Sequence, residues 1–253
     1  MQYLLSPKGE VALVALLRRR PLLAFDFDGT LASIVARPGD ARSSPGVSAR
    51  LGALAARLPL AIITGRSVQD VQGRLGFTPS YILGNHGAEG LVEPATAAAQ
   101  ALALNPLRER LSARKGDLAK NGVTVEDKGG SIALHYRLSR QREQAKALID
   151  ALLSRPEDAL RIFGGKMVVN AAPIDAPDKA QAMQALVARS GADCAFFAGD
   201  DINDEPVFAA APADWLTVRV GRDGPHSLAR YFIESPAEMT LLLGRMVVLL
   251  NKL

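Results

Sequence analysis

Cysteine and histidine are scarce among the 253 residues of this chain, and their scarcity excludes several kinds of site. The single cysteine, Cys194, excludes an internal disulfide and any zinc cluster built from cysteines. It lies in an apolar run that ends at Phe197, so we expect a buried and unreactive thiol. The three histidines lie far apart in the sequence, which argues against a metal site rich in histidine.

Long apolar runs and dense basic patches are also missing. The stretch from Leu241 to Leu250 is interrupted by Gly244 and Arg245 and is too short to cross a bilayer. The apolar run that follows the basic residues 18–20 stops at Asp26 after four residues, so it cannot form the core of a signal peptide. The net charge is +4, but the basic residues are scattered rather than interleaved with aromatics. We therefore expect a cytoplasmic protein without a membrane or nucleic-acid partner.

Short apolar strands alternate with amphipathic helices near both ends of the chain. Such alternation is typical of a parallel sheet that is covered by helices on both faces. We predict an α/β fold in which residues 1–92 and 176–253 form a doubly wound, mostly parallel, Rossmann-like sheet domain. The predicted strands are residues 22–27, 60–64, 81–83, 195–198 and 216–220, and the predicted helices are residues 47–57, 68–75, 180–189 and 206–210.

The middle of the chain has a different pattern. Residues 96–113 and 141–153 have helical patterns, and residues 123–126 and 131–136 resemble two strands joined around Gly129 and Gly130. Residues 160–163 and 167–170 suggest a second hairpin that turns at Gly164 and Gly165. This order is α+β, so we predict a smaller inserted cap domain at residues 93–175.

Two carboxylates follow the first predicted strand in the run Asp26-Phe27-Asp28-Gly29. Ligands of open α/β sheets bind beyond the carboxyl ends of the strands. At that place Asp26 could attack a phosphorus atom, and Asp28 could donate a proton to the leaving oxygen. Gly29 would let backbone N–H groups approach the phosphate oxygens. The alternative is an ordinary acidic turn after a strand.

Two further segments contain groups that suit a phosphate. Thr64 follows the second predicted strand, and Gly65 and Arg66 lead into a helix, which suits the binding of phosphate oxygens. Lys179 lies at the start of a helix, where the helix dipole disfavours a cation unless an anion is near. The alternatives are a helix cap at Thr64 and a solvated side chain at Lys179.

An acidic cluster follows a later strand in the run Gly199-Asp200-Asp201-Ile202-Asn203-Asp204-Glu205. Carboxylate oxygens are the ligands that Mg²⁺ prefers. Each carboxylate repels a phosphate by about 4 kcal/mol per pair of unit charges at roughly 4 Å, so attack by Asp26 requires a cation. The alternative is an acid-rich helix start that Asp204 caps, with Pro206 in the first turn.

Together these four segments resemble the ordered motifs of the haloacid dehalogenase superfamily of phosphatases. The resemblance implies that Asp26 is nucleophile and metal ligand, and that Asp28 is acid/base and offers its backbone carbonyl to Mg²⁺. It also implies catalytic roles for Thr64 and Lys179 and a metal-ligand role for Asp200. Asp201, Asn203 and Asp204 are candidates for holding metal-bound water.

A narrower resemblance, to trehalose-6-phosphate phosphatases, rests on residues 84–89, 131–137, 165–169 and 199–205. It implies a cap that closes over a sugar whose hydroxyls are held by polar side chains. Two departures stand out: Asn170 lies where we expect a glutamate, and the segment before Lys179 is one residue longer than expected. The predicted substrate-binding residues are Gly29, Gly65, Arg66, Asn85, His86, Glu126, Lys128, His135, Arg137, Lys166 and Asn170.

The sequence therefore predicts a monomeric, Mg²⁺-dependent phosphatase that acts on trehalose 6-phosphate through an aspartyl phosphate. Another sugar phosphate, such as sucrose phosphate or glucosylglycerol phosphate, is an alternative substrate. A phosphohexomutase and a non-catalytic sugar-phosphate sensor are further alternatives.

Overall fold

A computed structural model describes residues 1–35, 37–155, 159–222 and 226–253 of the chain. The chain divides into two compact units. The core unit consists of Met1–Leu91 and Pro177–Leu253, and the cap unit is Val92–Ala176. Within the described residues, no helix combines the length and the apolar character that a membrane span needs.

The elements of both units are numbered together in chain order. The strands are β1 (Gln2–Tyr3), β2 (Leu22–Phe25), β3 (Leu60–Ile63), β4 (Tyr81–Leu83), β5 (Thr124–Asp127), β6 (Ile132–His135), β7 (Leu160–Gly165), β8 (Val168–Pro173), β9 (Ala195–Gly199), β10 (Leu216–Val220) and β11 (Tyr231–Ile233). The helices are α1 (Pro7–Leu17), α2 (Pro45–Ala55), α3 (Val68–Gln72), α4 (Pro94–Ala101), α5 (Asn105–Ala113), α6 (Lys115–Lys120), α7 (Arg142–Leu153), α8 (Lys179–Ser190), α9 (Glu205–Ala210) and α10 (Pro236–Leu250).

The core unit is built on a parallel sheet with the strand order β1-β11-β10-β9-β2-β3-β4. From β2 the chain proceeds outward through β3 and β4, and it later returns to the other side of β2 through β9, β10 and β11. The strand order therefore reverses between β2 and β9, which is where sheets of this kind bind ligands. All four residues of β2 are fully buried because neighbouring strands and both layers of helices cover them.

Local sequence explains where the helix that carries the predicted lysine begins and ends. Asp178 forms a capping box with Gln181: the Asp178 side chain accepts from the Gln181 N–H, and the Gln181 side chain accepts from the Asp178 N–H. Gly191 ends α8 in the left-handed conformation that favours glycine. These signals fix Lys179 as the first residue of α8.

The cap unit is an antiparallel sheet with the order β5-β6-β8-β7 and helices on one face. A separate apolar cluster joins that face to the helices, and its sheet residues are Ile132, Leu134, Val169 and Ala171. Because side chains alternate along a strand, Ala133, His135, Asn170 and Ala172 point to the opposite face, which we call the second face of the cap sheet. Ala133, Asn170 and Ala172 are buried there.

The comparison with the sequence confirms the α/β fold and shows two local errors. The second hairpin turns at Lys166 and Met167, because Gly164 and Gly165 pair within β7 and Met167 adopts the left-handed conformation. The helix predicted over residues 96–113 is broken: α4 ends at Ala101, a short 3-10 turn follows, and α5 begins at Asn105. Pro106, in the first turn of α5, lacks the N–H that a continuous helix would need.

Candidate active site

Three of the predicted residues lie directly after neighbouring strands of the core sheet. Asp26 follows β2, Thr64 follows β3 and Asp200 follows β9. The strands are in register, with Phe25 of β2 paired to Ala198 on one side and to Ile62 on the other. Parallel strands end at the same edge of a sheet, so the three side chains emerge together there.

Three buried carboxylates form the centre of the site. One oxygen from each of Asp26, Asp200 and Asp204 lies within 4.8 Å of the others. The Thr30 hydroxyl donates to Asp200 at 3.1 Å and so orients that carboxylate. A Cβ at position 29 would lie 2.1 Å from an Asp200 oxygen, and Gly29 has φ +80°, so only glycine fits this turn.

Lys179 neutralises part of this negative charge. Its buried ammonium lies 3.1 Å from Asp26 and donates to Asp204 at 2.7 Å. Burial acts to lower the pKa of Lys179, but Asp204 and Asp26 outweigh that effect and raise it. Lys179 is therefore a permanent cation, which contradicts the alternative of a solvated surface lysine.

The protein environment leaves the charge of Asp26 only partly compensated. Burial raises the pKa of Asp26 well above its usual range, Lys179 opposes that rise, and Asp204 and Asp200 add to it. A divalent cation among these carboxylates would favour the ionised form that a nucleophile needs. Three buried carboxylate oxygens that lie within 4.8 Å of one another could hold a metal ion.

In the acidic loop after β9, Asp200 and Asp204 belong to the buried cluster and Asp201 does not. Asp204 accepts from Lys179 through one oxygen and from the Asp201 N–H, at 2.9 Å, through the other. The Asp201 carboxylate instead accepts from the Ile202 N–H at 2.8 Å and from the Asn203 amide at 3.4 Å, outside the buried cluster. Asp201, and not Asp204, therefore caps the short helical turn that precedes α9, which corrects the capping expected at Asp204.

Asp28 and Arg66 form a two-pronged ion pair beside the cluster. The Nε and Nη2 atoms of Arg66 each donate to Asp28 at 2.7 Å, and Nη1 donates to Asp70 at 2.7 Å. The guanidinium also lies 5.5 Å from the centre of the Phe27 ring. Burial works to lower the pKa of Arg66, but its hydrogen bonds to the Asp28 and Asp70 carboxylates and their negative charges raise it. Arg66 thus holds both oxygens of Asp28, and its contact with substrate stays a prediction.

A strained turn at residues 84–89 holds the Thr64 segment. Asn85 and His86 both adopt left-handed backbone angles, with φ of 50° and 59°. The Asn85 N–H donates to the Arg66 carbonyl and the His86 N–H donates to the Thr64 carbonyl, each at 2.8 Å. A Cβ at Gly65 would lie 2.5 Å from the His86 ring, which explains the glycine between Thr64 and Arg66.

Glu89 completes this turn and was not among the predicted residues. One of its carboxylate oxygens accepts from the Val68 N–H at 3.0 Å and from the Asn85 side chain at 2.8 Å. Glu89 therefore ties the turn to the start of α3, which follows the Thr64 segment. Its signal in the sequence was its place six residues after the end of β4, in the same run as Asn85 and His86.

The predicted sugar-binding residues of the cap unit lie in or beside the second face of its sheet. His135 and Glu126 are 2.9 Å apart, and Lys128 lies 3.9 Å from the same carboxylate. Asn170 is 2% exposed, and the register places Ala133 on one side of it and Phe163 on the other. Arg137 donates to the backbone carbonyl of Lys166 at 3.2 Å.

Phe163 adds an aromatic ring to this face. It lies opposite Asn170 in the register, and the Arg161 guanidinium lies 5.7 Å from its ring centre. The alternation of β7 could have indicated it, because Arg161 and Phe163 share the face of Asn170. Aromatic rings and hydrogen-bonding groups on one face suit the binding of a polar ring with apolar C–H edges.

The parallel sheet with its reversal between β2 and β9, and the strand-end carboxylates with their buried lysine, define the haloacid dehalogenase fold. A family model described as trehalose-phosphatase matches residues 24–214. The chain therefore belongs to the trehalose-phosphatase family.

Similar proteins agree with this placement. The trehalose-phosphate phosphatase of Mycobacterium ulcerans is 32% identical over 249 residues, which cover 92% of this chain and 63% of that protein. The trehalose-phosphate phosphatase of Mycobacterium avium is 34% identical over 236 residues, which cover 87% of this chain and 60% of that protein. The chain thus spans about three fifths of the length of these relatives.

Solved structures show the same fold. The C-terminal domain of trehalose-6-phosphate phosphatase from C. albicans superposes with a TM-score of 0.75 at 20% identity, covering 94% of this chain and 96% of that one. The sucrose-phosphatase of Synechocystis sp., in complex with sucrose and phosphate, gives a TM-score of 0.59 at 18% identity, covering 90% and 98%.

Proposed function

We propose that this protein is a Mg²⁺-dependent phosphatase that hydrolyses trehalose 6-phosphate to trehalose and phosphate. The observation that carries the proposal is the buried cluster of Asp26, Asp200 and Asp204 with Lys179 beside it. Burying three carboxylates beside one ammonium group is costly for folding unless a cation binds among them, and such costly groups are typical of functional sites. Membership of the trehalose-phosphatase family supports the choice of sugar.

Asp26 and Asp200 would hold Mg²⁺ through their carboxylates, and Asp28 would contribute its backbone carbonyl. The bound ion would offset the charge of the transferring phosphoryl group. Asp204 belongs to the same cluster, but its two oxygens already accept from Lys179 and from the Asp201 N–H. We therefore assign to Asp204 the holding of Lys179, and to Asp201 and Asn203 the shaping of the loop.

The reaction would proceed in two in-line steps. A carboxylate oxygen of Asp26 forms a bond to phosphorus as the sugar oxygen departs, and Asp28 protonates that oxygen. Asp28 then takes a proton from water, which attacks the aspartyl phosphate and restores Asp26. Lys179 and the Thr64 hydroxyl stabilise the charge on the phosphoryl oxygens.

Arg66 acts on this sequence through Asp28. A guanidinium that donates two parallel hydrogen bonds fixes both oxygens of a carboxylate, so it fixes the orientation of the Asp28 side chain beside the cluster. The turn with Asn85, His86 and Gly65 serves Thr64 in the same way. It holds the hydroxyl in place at the strand end.

We assign sugar recognition to the cap unit. Glu126, Lys128, His135, Arg137, Lys166 and Asn170 supply donors and acceptors that match a sugar's hydroxyls, and Phe163 supplies a ring for its C–H edge. Asn170 offers a neutral amide, which hydrogen-bonds hydroxyls without the added strength of a charge. We further propose that the small-molecule substrate is bound by a monomer in the cytoplasm.

Release of inorganic phosphate from a panel of sugar phosphates tests the proposal. The panel comprises trehalose 6-phosphate, sucrose phosphate, glucosylglycerol phosphate and glucose 6-phosphate, each with Mg²⁺ and with excess EDTA. We expect trehalose 6-phosphate to have the highest kcat/KM, and EDTA to abolish release. A higher kcat/KM for sucrose phosphate would contradict the substrate but not the reaction. Isomerised phosphosugar without free phosphate would show a mutase instead.

A further inference from the structure

A buried arginine lies beside the metal loop, by which we mean residues 200–204. Arg219, on β10, is 6% exposed and pairs in register with Gly199, the residue before Asp200. Neither the strand pattern nor the proposed reaction accounts for a buried guanidinium at this position. A buried charge is costly unless its hydrogen bonds are made.

The contacts of Arg219 are directed at the loop. Its Nη1 atom donates to the backbone carbonyl of Asp201 at 3.1 Å and to Glu205 at 3.0 Å. The other oxygen of Glu205 accepts from the Leu228 N–H at 3.0 Å. Glu205 therefore balances the charge of Arg219 and, because it is itself held by the Leu228 N–H, fixes the position of the guanidinium.

Asp201 is held through both of its backbone polar groups. Its N–H donates to Asp204 at 2.9 Å, and its carbonyl accepts from Arg219 at 3.1 Å. On the other side of Asp200, Gly199 packs so closely that a Cβ there would lie 2.3 Å from the Asp204 carboxyl carbon. The residues on either side of Asp200 are thus fixed, and Asp200 has little freedom to turn.

A second observation indicates that Arg219 does more than stabilise the fold. Within the described residues its buried Nε atom has no hydrogen-bond partner. A buried donor without a partner costs about 1–3 kcal/mol, so an apolar side chain would serve the strand better. This cost to folding, together with the contacts of Nη1, indicates a role at the loop.

We propose that Arg219 is a positioning residue for the metal site: it fixes the backbone of Asp201 and thereby aims the Asp200 carboxylate at the divalent cation. The proposal deepens the proposed function and rests on it. Groups that orient metal ligands typically contribute 10–100-fold to metal affinity. Because Glu205 neutralises Arg219, the guanidinium orients the loop without repelling the cation.

Direct binding of Mn²⁺, followed by the loss of its free EPR signal, tests Arg219 independently of turnover. We expect Arg219→Gln to bind Mn²⁺ about 10-fold more weakly than the wild type. Arg219→Lys, which keeps one donor and the charge, should lie between them. With saturating Mg²⁺, kcat should stay within about threefold of the wild type, because Arg219 has no part in the chemical steps.

Arg222→Gln is the matched control. Arg222 lies three residues further along, is paired with Glu234 and is largely exposed. Its removal deletes an arginine and an ion pair from the same end of the sheet without touching the loop. We expect its Mn²⁺ affinity to stay within about twofold of the wild type, as the small energy of exposed ion pairs implies.

The outcomes separate this proposal from the proposed function. A folded Arg219→Gln variant with wild-type Mn²⁺ affinity would overturn the role of Arg219 alone. If that variant does not fold, Glu205→Gln decides: we expect about threefold weaker binding, and unchanged binding overturns the proposal. A wild type that binds Mn²⁺ but releases no phosphate from any sugar phosphate contradicts the proposed function alone. A wild type that binds no Mn²⁺ overturns both.

Discussion

Replacing Lys179 by methionine tests how much this lysine stabilises the fold that buries the acidic cluster. Lys179 lies 3.1 Å from Asp26 and 2.7 Å from Asp204, and all three side chains are buried. At 3.1 Å and an effective dielectric constant near 20, the attraction to Asp26 alone is about 5 kcal/mol. Part of this loss is offset because the variant no longer buries an ammonium group. We therefore expect the free energy of unfolding to fall by about 3–5 kcal/mol at pH 7.

This loss of stability should depend on pH, because it involves the ionisation of Asp26. Burial already raises the pKa of Asp26, and Lys179 opposes that rise, so the substitution raises this pKa further. A carboxyl group whose pKa is higher in the folded protein than in the unfolded chain destabilises the fold least at low pH. It destabilises the fold as the pH rises from about 4 towards the folded value. The difference from the wild type should therefore shrink near pH 4 and grow towards neutrality.

Urea unfolding from pH 4 to pH 8, with and without Mg²⁺, measures these effects. We expect Mg²⁺ to restore much of the stability of Lys179→Met, because a divalent ion replaces the missing charge, while phosphate release stays at least 10³-fold below the wild type. Lys146→Met is the control: its pair with Asp150 is equally short at 2.6 Å but exposed, and should contribute less than about 0.5 kcal/mol. Equal stability of Lys179→Met and the wild type at pH 7 without Mg²⁺ would refute the reasoning.

Three further substitutions test other parts of the site and the cap unit. Asp26→Asn should reduce phosphate release at least 10³-fold in a folded protein, and residual turnover above that level would exclude Asp26 as the nucleophile. Arg66→Lys should lower kcat about 10-fold with little change in KM, because a lysine cannot hold both oxygens of Asp28; a raised KM with unchanged kcat would instead indicate contact with the phosphate. Arg108 hydrogen-bonds Asp127 and lowers its pKa, so its contribution to stability is present above about pH 4 and lost as the pH falls through the lowered value. Arg108→Gln should therefore weaken urea resistance at pH 7 but not near pH 2, and an equal loss at both would contradict the ion pair's role.

The sheet and its strand-end residues could be predicted because each leaves a local signal. A continuous apolar run that stops at Asp26, Thr64 or Asp200 marks both a buried strand and the polar group at its end. The residues that hold these groups leave no such signal. Arg219 lies on β10 and Glu205 begins α9, and only the pairing of β9 with β10 brings them together.

The ends of the chain were also beyond prediction from sequence. The strands Gln2–Tyr3 and Tyr231–Ile233 are short and pair with each other at the edge of the sheet, so neither has the length that a periodic pattern requires. The turn at Lys166 and Met167 was misplaced because glycine usually marks a turn. Here the two glycines continue the strand, and a methionine takes the left-handed position.

The insertion of the cap unit between β4 and α8 has a consequence for the order of events on the ribosome. Thr30 and Asp200, which share a hydrogen bond in the finished site, are 170 positions apart in the sequence. Until the later segment emerges, β2 lacks one of its two neighbours and presents an unpaired apolar edge. Contacts between such distant positions slow folding, so the nascent chain passes through an inactive stage in which this edge invites misassembly.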